Sequence, residues 1–361
     1  MRIAIVIPTL TIGGAEKVAL NTAMTLANMG NEIHVIVMSR RVDLEAPDNI
    51  TLHTGLHSIK SISHVIKKIR PERCISYMER ANLTAAIACR IAKVKHYATV
   101  HTAPAVGFRM RSLQNRLAIA FTYRLLRVLD TKVICVCKGV AADLKRMYGI
   151  KNLYVVPNFI DVEEMMTLAH QENHSQYYDF TYVGRLSRVK GCHIFIKSLA
   201  LIKQQLEAHN IKVAIVGDGP ERSFIEDLIT ESQLSGIVTM LGAQKNPYPI
   251  INNSKYVVVP SYAEGFGMVV LESLALGKKV IYSHCDFGPR EIINDNFREL
   301  QHLGFSDPSV DEDTAIQQLR SIIEKEIVSE TICEQHVLIE QVASKYNKEI
   351  ICKRLLEILD K

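Results

Sequence analysis

Two carboxylates have the spacing and setting for chemistry. Glu264 and Glu272 stand eight positions apart in residues 260–277, P-S-Y-A-E-G-F-G-M-V-V-L-E-S-L-A-L-G. Val257, Val258 and Val259 precede them as the end of a buried strand. Pro260, Gly265 and Gly267 then spell a loop that must lie close to something, since glycine admits close backbone approach. From Met268 the pattern turns helical and stops at Gly277, a good helix terminator. Met268, Val269, Val270, Leu271, Leu274, Ala275 and Leu276 make that helix apolar nearly all round, which predicts burial, and Glu272 is its only ionisable residue. A buried carboxylate without a partner is costly or becomes neutral, so Glu272 needs a dedicated partner. Neighbouring hydroxyls would suit, because an ionised carboxylate accepts two hydrogen bonds at once. A structural helix with one salt-bridged glutamate would carry the same pattern.

Other residues could hold an anion. The strand expected over 179–183 runs into Gly184-Arg185-Leu186-Ser187-Arg188-Val189-Lys190-Gly191, and a helix opens at about Cys192. Arg185 and Lys190 at a strand mouth can clamp a phosphate and neutralise charge developing on it, although an exposed basic loop reads the same way. Gly13-Gly14 lie between an apolar strand at 2–7 and a helix over about 15–29. Bare N–H groups at a helix start form a natural anion site, or the pair is a tight turn. No G-x-G-x-x-G occurs there, which argues against a nicotinamide oxidoreductase. His101 ends an apolar run and either reaches into a cleft or is a satisfied strand-end histidine. Asp311-Glu312-Asp313 has D-x-D spacing but follows Pro308-Ser309 at a helix start, where acids favour the dipole. It reads as a cap, and no metal site is inferred.

The elements that must position these groups follow from the rest of the chain. Its 361 residues suggest two domains, and 48% apolar residues are enough for two full cores. Strands near 32–38, 50–54, 73–77, 96–101, 132–137 and 153–156 alternate with helical patterns, and the alternation resumes after a polar bridge at 169–178. This is an α/β chain with parallel, doubly wound sheets, whose ligands sit at the carboxyl ends of the strands. No apolar run is long enough to span a membrane, and residues 2–7 read as a strand rather than a signal peptide. The eight cysteines are scattered without C-x-x-C or zinc spacing, as expected for reduced thiols in a cytoplasm. Net charge is +5, but residues 1–165 alone carry +11. That imbalance predicts an anionic partner, nucleic acid or a membrane surface bearing lipid phosphates. Within it, Arg109, Arg111, Arg116, Arg124 and Arg127 are interleaved with Phe108, Met110, Leu113, Leu117, Phe121 and Leu125. This composition suits a membrane interface, or an ordinary amphipathic helix with a solvated arginine face.

E-G-F-G followed by L-E-S-L-A-L-G resembles the paired-glutamate motif of the retaining glycosyltransferases of family 4, which have the GT-B fold. G-R-L-S-x-x-K-G, G-G-A-E-K after the first strand and G-D-G-P at 217–220 resemble the same family, as does V-P-N-F-I-D at 156–161, with Phe159 where the family has glycine. The match is strong over 183–293, moderate over 1–30 and weak over 40–130, where acceptors are usually held.

The resemblance implies two Rossmann-like domains facing an interdomain cleft. The acceptor domain would span 1–165 and the nucleotide-sugar domain 166–345, with a last helix, 346–361, crossing back to the first. It places the donor ribose on Glu272, the transferred sugar on Glu264 beside His101, and the diphosphate on Arg185 and Lys190. Gly13, Gly14, Gly265, Phe266 and Gly267 line the donor, with no metal or cofactor required. The expected reaction moves a hexose or N-acetylhexosamine, with retention, from a nucleotide sugar (UDP is expected) to a lipid-linked glycan or lipopolysaccharide acceptor. The expected place is the cytoplasmic face of the membrane, with peripheral contact through Arg109, Arg111 and Arg116 and no nucleic-acid partner. A sugar-nucleotide epimerase of the same architecture and a non-catalytic sugar-nucleotide-binding subunit remain alternatives.

Overall fold

The computed structural model of the chain describes residues 1–11, 14–102, 113–171, 176–329 and 335–360. It forms two compact units, Met1–Phe159 with Lys348–Lys361, and Ile160–Asn347.

The first unit is built on seven strands: β1 (Arg2–Ile7), β2 (Glu32–Val37), β3 (Ile50–His53), β4 (Arg73–Tyr77), β5 (Lys95–Val100), β6 (Lys132–Cys135) and β7 (Leu153–Val155). Their order is β3-β2-β1-β4-β5-β6-β7, with every pair parallel. The central strand explains its own sequence. Ile3 to Ile7 are completely buried, so R-I-A-I-V-I is a continuous apolar run rather than an alternating one. Between β3 and β4, Ser58 and Ser61 form a reciprocal capping box that starts the helix Ile59–Ile69, and Arg70 in the left-handed region ends it. The final helix, Lys348–Asp360, belongs to this unit. The Arg73 guanidinium and the Tyr97 hydroxyl both donate to its Leu359 carbonyl, which fixes the helix against β4 and β5.

The second unit repeats the plan with β8 (Tyr178–Val183), β9 (Val213–Val216), β10 (Val238–Gly242), β11 (Ser254–Val259), β12 (Lys279–Ser283) and β13 (Gly304–Phe305), in the order β10-β9-β8-β11-β12-β13. All pairs are parallel. The chain reverses its direction of travel across the sheet between β8 and β11, whose register pairs Thr181 with Val257 and Tyr182 with Val258. That switch point is where ligands of such sheets collect. The two strands also share a buried polar contact, the Thr181 and Ser254 hydroxyls at 2.6 Å. Among the described residues no helix is long and apolar enough to cross a membrane.

Candidate active site

The two motifs with chemical potential leave the sheet side by side. Residues 184–191 follow β8 and residues 260–267 follow β11, its neighbour at the switch point. Their backbones touch: the Tyr262 amide donates to the Val189 carbonyl at 2.8 Å. Glycine makes this possible at Gly191, which has φ 68° and where a Cβ would lie 1.9 Å from the Pro260 carbonyl oxygen. On the other side, a Cβ on Gly288 would lie 2.5 Å from the Phe266 oxygen, so the loop after β12 is also pressed against the paired-glutamate loop.

This close packing brings Lys190 to Glu264. The Lys190 Nζ donates to Glu264 Oε1 at 2.6 Å, and the Ser261 hydroxyl donates to the same oxygen at 2.7 Å. The Glu264 side chain is only 11% exposed, so the carboxylate is held in one place by a cation and a hydroxyl. Arg185 is exposed at the head of the loop, and among the described residues no carboxylate pairs with its guanidinium. Lys190 therefore faces a carboxylate while Arg185 is available to an anion.

A second set of contacts braces both loops. Glu312 accepts from Lys197 at 2.9 Å and also from Arg188 and the Tyr262 hydroxyl, while the Arg188 guanidinium lies over the Tyr262 ring. Burial alone would raise the Glu312 pKa, but the Tyr262 hydroxyl, Lys197 and Arg188 outweigh it and hold the carboxyl at about 2. His193, 3.0 Å from the Tyr262 hydroxyl, is pushed down to about 4, first by burial and then by Arg188. It is neutral at physiological pH. The acidic run 311–313 thus has two jobs. Asp311 caps the helix Glu312–Ile327 by accepting from the Thr314 amide, and Glu312 anchors the loop that carries Lys190.

The helix Met268–Ala275 starts at Gly267, φ 90°, and its burial is one-sided. Val270, Leu271, Ser273, Leu274 and Ala275 are buried, whereas Met268, Val269 and Glu272 are half-exposed. The burial expected all round the helix is corrected here, because its first turn emerges from an open loop and leaves one face uncovered. Glu272 lies on that face. Its partner is the Tyr248 hydroxyl, which hydrogen-bonds the carboxylate. Burial and then the Glu272 charge push the Tyr248 phenol well above its ordinary value. Tyr248 opens the helix Tyr248–Asn252, which follows β10. Sequence reasoning missed Tyr248 and read Glu312 only as part of a helix cap, because nothing local marks a long-range partner. Ser261 could have been noticed, since it stands three residues before the carboxylate it serves.

In the first unit, His101 lies just beyond β5, with its ring stacked on Tyr77 at 5.2 Å and Nε2 3.1 Å from the Thr99 hydroxyl. Thr99 in turn donates to the Ser76 carbonyl at 2.8 Å, and the Asn82 amide donates to the Thr99 carbonyl at 2.8 Å, so β4 and β5 hold the histidine rigidly. Burial lowers its pKa to about 4, with Asn158 acting in the opposite direction. Gly14 is exposed at the first position of the helix Gly14–Asn28, and a Cβ there would meet nothing within 4 Å. Gly13, Arg109 and Arg111 lie outside the described residues. Arg116 is half-buried on the helix Leu113–Val128, where Leu113, Leu117, Phe121 and Val128 are exposed. Among the described residues no cluster of His, Cys, Asp and Glu is arranged to hold a metal ion.

Each unit is built on a parallel, doubly wound sheet, and the second gathers a lysine–glutamate pair and a further glutamate at its switch point, the kind of place where such sheets hold a ligand. Residues 12–164 match Glycosyltransferase Family 4, and residues 165–337 match Glycosyl transferases group 1. The chain belongs to these family 4, group 1 glycosyltransferases and has their GT-B fold. An uncharacterized glycosyltransferase of Methanocaldococcus jannaschii is 25% identical over 247 residues, covering 64% of this chain and 60% of the relative. This chain thus spans less than two thirds of that relative's length. The N-acetylgalactosamine-N,N'-diacetylbacillosaminyl-diphospho-undecaprenol 4-alpha-N-acetylgalactosaminyltransferase of Campylobacter jejuni is 26% identical over 314 residues, 82% of this chain and 84% of the relative. Among solved structures, Anabaena Alr3699/HepE in complex with UDP and glucose superposes with a TM-score of 0.77 at 19% identity, covering 100% of this chain and 99% of that one.

Proposed function

We propose that the protein transfers a hexose or N-acetylhexosamine from a UDP-sugar, with retention of anomeric configuration, to a lipid-linked glycan or lipopolysaccharide acceptor at the cytoplasmic face of the membrane. The observation that carries this reading is the gathering of Arg185, Lys190, Glu264 and Glu272 on the loops and helix that follow β8 and β11. Glu272 takes the ribose hydroxyls, with Tyr248 setting the orientation of its carboxylate. Arg185 and Lys190 grip the diphosphate, and the N–H groups that begin the helix at Gly267 add donors, so a divalent cation is not required.

Glu264 is already held by Lys190 and Ser261, and it orients hydroxyls of the transferred sugar. The bond between the anomeric carbon and the phosphate oxygen breaks to an oxocarbenium-like state. The departing phosphate takes the acceptor proton, and the acceptor oxygen attacks from the face that the phosphate occupied. His101, whose pKa burial pushes down to about 4, is neutral at physiological pH and can act through hydrogen bonds but not as a cation. The membrane side of the reading is supported by the charge of +11 on residues 1–165 and by the exposed Leu113, Leu117 and Phe121 beside arginines. The Campylobacter relative, whose name specifies a diphospho-undecaprenol acceptor, points the same way.

The test is a panel of UDP-hexoses and UDP-N-acetylhexosamines offered with lipid-diphosphate glycan acceptors, the product being read by NMR at the anomeric carbon. The expected product keeps the donor's configuration. An inverted product, or interconversion of free donor without any acceptor, would sink the proposal.

A further inference from the structure

The first unit holds a cavity that the transfer reaction does not use. It has a volume of about 640 Å³ and is lined by Arg90, Lys93, Lys95 and Lys132, with His96 and Tyr97 among its other walls. Lys95 and Lys132 begin β5 and β6, so the cavity lies at the amino ends of the strands, whereas His101 stands beyond the carboxyl end of β5. The volume is that of a site for a small molecule.

Its charge is one-sided. Asp130 is the one carboxylate among the lining residues, and its Oδ1 already accepts from Asn152 at 2.8 Å. Among the described residues no carboxylate pairs with Arg90, Lys93 or Lys95, and the Lys132 ammonium lies over the Tyr97 ring, 5.3 Å from its centroid. His96 is fixed by the Ser76 hydroxyl at 2.7 Å, and burial lowers its pKa to about 3, so it adds no charge. Four cations around an open hollow, with so little to neutralise them, suit a phosphate group.

The rim says which phosphate. Ile91, next to Arg90, is 49% exposed, and Val128, next to the lining residue Leu129, is 74% exposed. Val128 is also the last residue of the helix Leu113–Val128, along which Leu113, Leu117 and Phe121 are exposed at intervals of four. A free phosphate has no use for an apolar rim, whereas a headgroup whose acyl chains enter the same surface does.

We propose that this cavity binds the phosphate of an anionic phospholipid headgroup, seating the first unit on the membrane with the helix Leu113–Val128 lying in the interface. The proposal rests on the membrane reading above and adds a defined site to it.

Flotation with phosphatidylglycerol–phosphatidylcholine vesicles tests it through matched charge removals. Arg90→Gln/Lys95→Gln and Arg90→Gln/Lys132→Gln neutralise the cavity, while Lys67→Gln/Lys68→Gln removes the same charge from exposed positions on the helix Ile59–Ile69. Wild-type protein should float with these vesicles and not with phosphatidylcholine alone. The cavity variants should lose about 10-fold or more in partitioning, and the surface variant less than about 3-fold. Equal losses in all three variants would show that diffuse charge alone is responsible and would overturn the site while leaving the membrane reading intact. Failure of wild-type protein to float would overturn both. Glycerol 1-phosphate bound in solution as tightly as the vesicles, with the same variants abolishing it, would assign the cavity to a soluble phosphate and overturn the lipid.

Discussion

Lys190→Met keeps most of the aliphatic stem of Lys190 and removes only its charge, which separates the structural and catalytic roles of the lysine–glutamate pair. Nζ and Oε1 are 2.6 Å apart, with the lysine side chain 33% and the glutamate 11% exposed. Two charges about 3 Å apart at an effective dielectric constant near 20 attract by roughly 5 kcal/mol, before desolvation is counted. Desolvation and solvent screening leave a net cost of about 1–3 kcal/mol for stranding Glu264 with Ser261 alone. For a domain of this size that lowers the melting temperature by roughly 2–10 °C. Lys190→Met/Glu264→Gln removes the stranded charge and should recover most of the loss. Activity should behave differently. Removing a cation that stabilises the departing diphosphate costs about 100-fold or more in kcat, and the double variant should not regain it. Thermal denaturation and steady-state transfer from the UDP-sugar read the two effects separately. A single variant with kcat/KM within about 3-fold of wild type, or a double variant restored in both respects, would refute the catalytic role.

Three further outcomes follow from the same geometry. The His101 pKa is lowered in the folded state to about 4, so its neutral form stabilises the first unit fully above the unfolded value of about 6.5. That stability falls as pH drops from about 6.5 toward 4, by up to about 3 kcal/mol, and urea titrations should show a flatter pH dependence for His101→Gln. Gly191→Ala forces a Cβ to within 1.9 Å of the Pro260 oxygen at a φ of 68°, so it should destabilise the second unit by about 3 kcal/mol or more, seen as a lower urea midpoint. Tyr248→Phe removes the hydroxyl that orients Glu272 and should weaken UDP binding about 10-fold by calorimetry, since hydrogen bonds to charged groups contribute about 1.5–3 kcal/mol. An unchanged affinity would remove Tyr248 from the donor site.

Much of the architecture was legible because central strands buried on both faces must be written as unbroken apolar runs, as in residues 2–7 and 257–259. The two-residue β13 was not, since Gly304–Phe305 is too short to show any period. Candidate site residues in the second unit were legible as types: Arg185, Lys190 and Glu264 stand near glycine in loops that follow a strand, and Glu272 is the one ionisable residue of an otherwise apolar helix. Their partners were not. Lys190 and Glu264 are 74 positions apart, and Glu312 reaches Lys197 across 115. Such pairings depend on strand order and on backbone approaches such as that at Gly191, neither of which a local window contains. The helix of Glu272 shows the limit of composition. Apolar residues all round it suggested full burial, yet Met268 and Val269 begin at an open loop and leave the glutamate on an accessible face.

The central claim is that one switch point in the second unit holds the nucleotide sugar. A crystal structure with UDP bound tests it most directly. The ribose hydroxyls should lie within hydrogen-bond distance of Glu272 and the diphosphate within reach of Arg185 and Lys190. UDP bound away from the ends of β8 and β11, with its ribose out of reach of Glu272 and its diphosphate out of reach of Arg185 and Lys190, would contradict it.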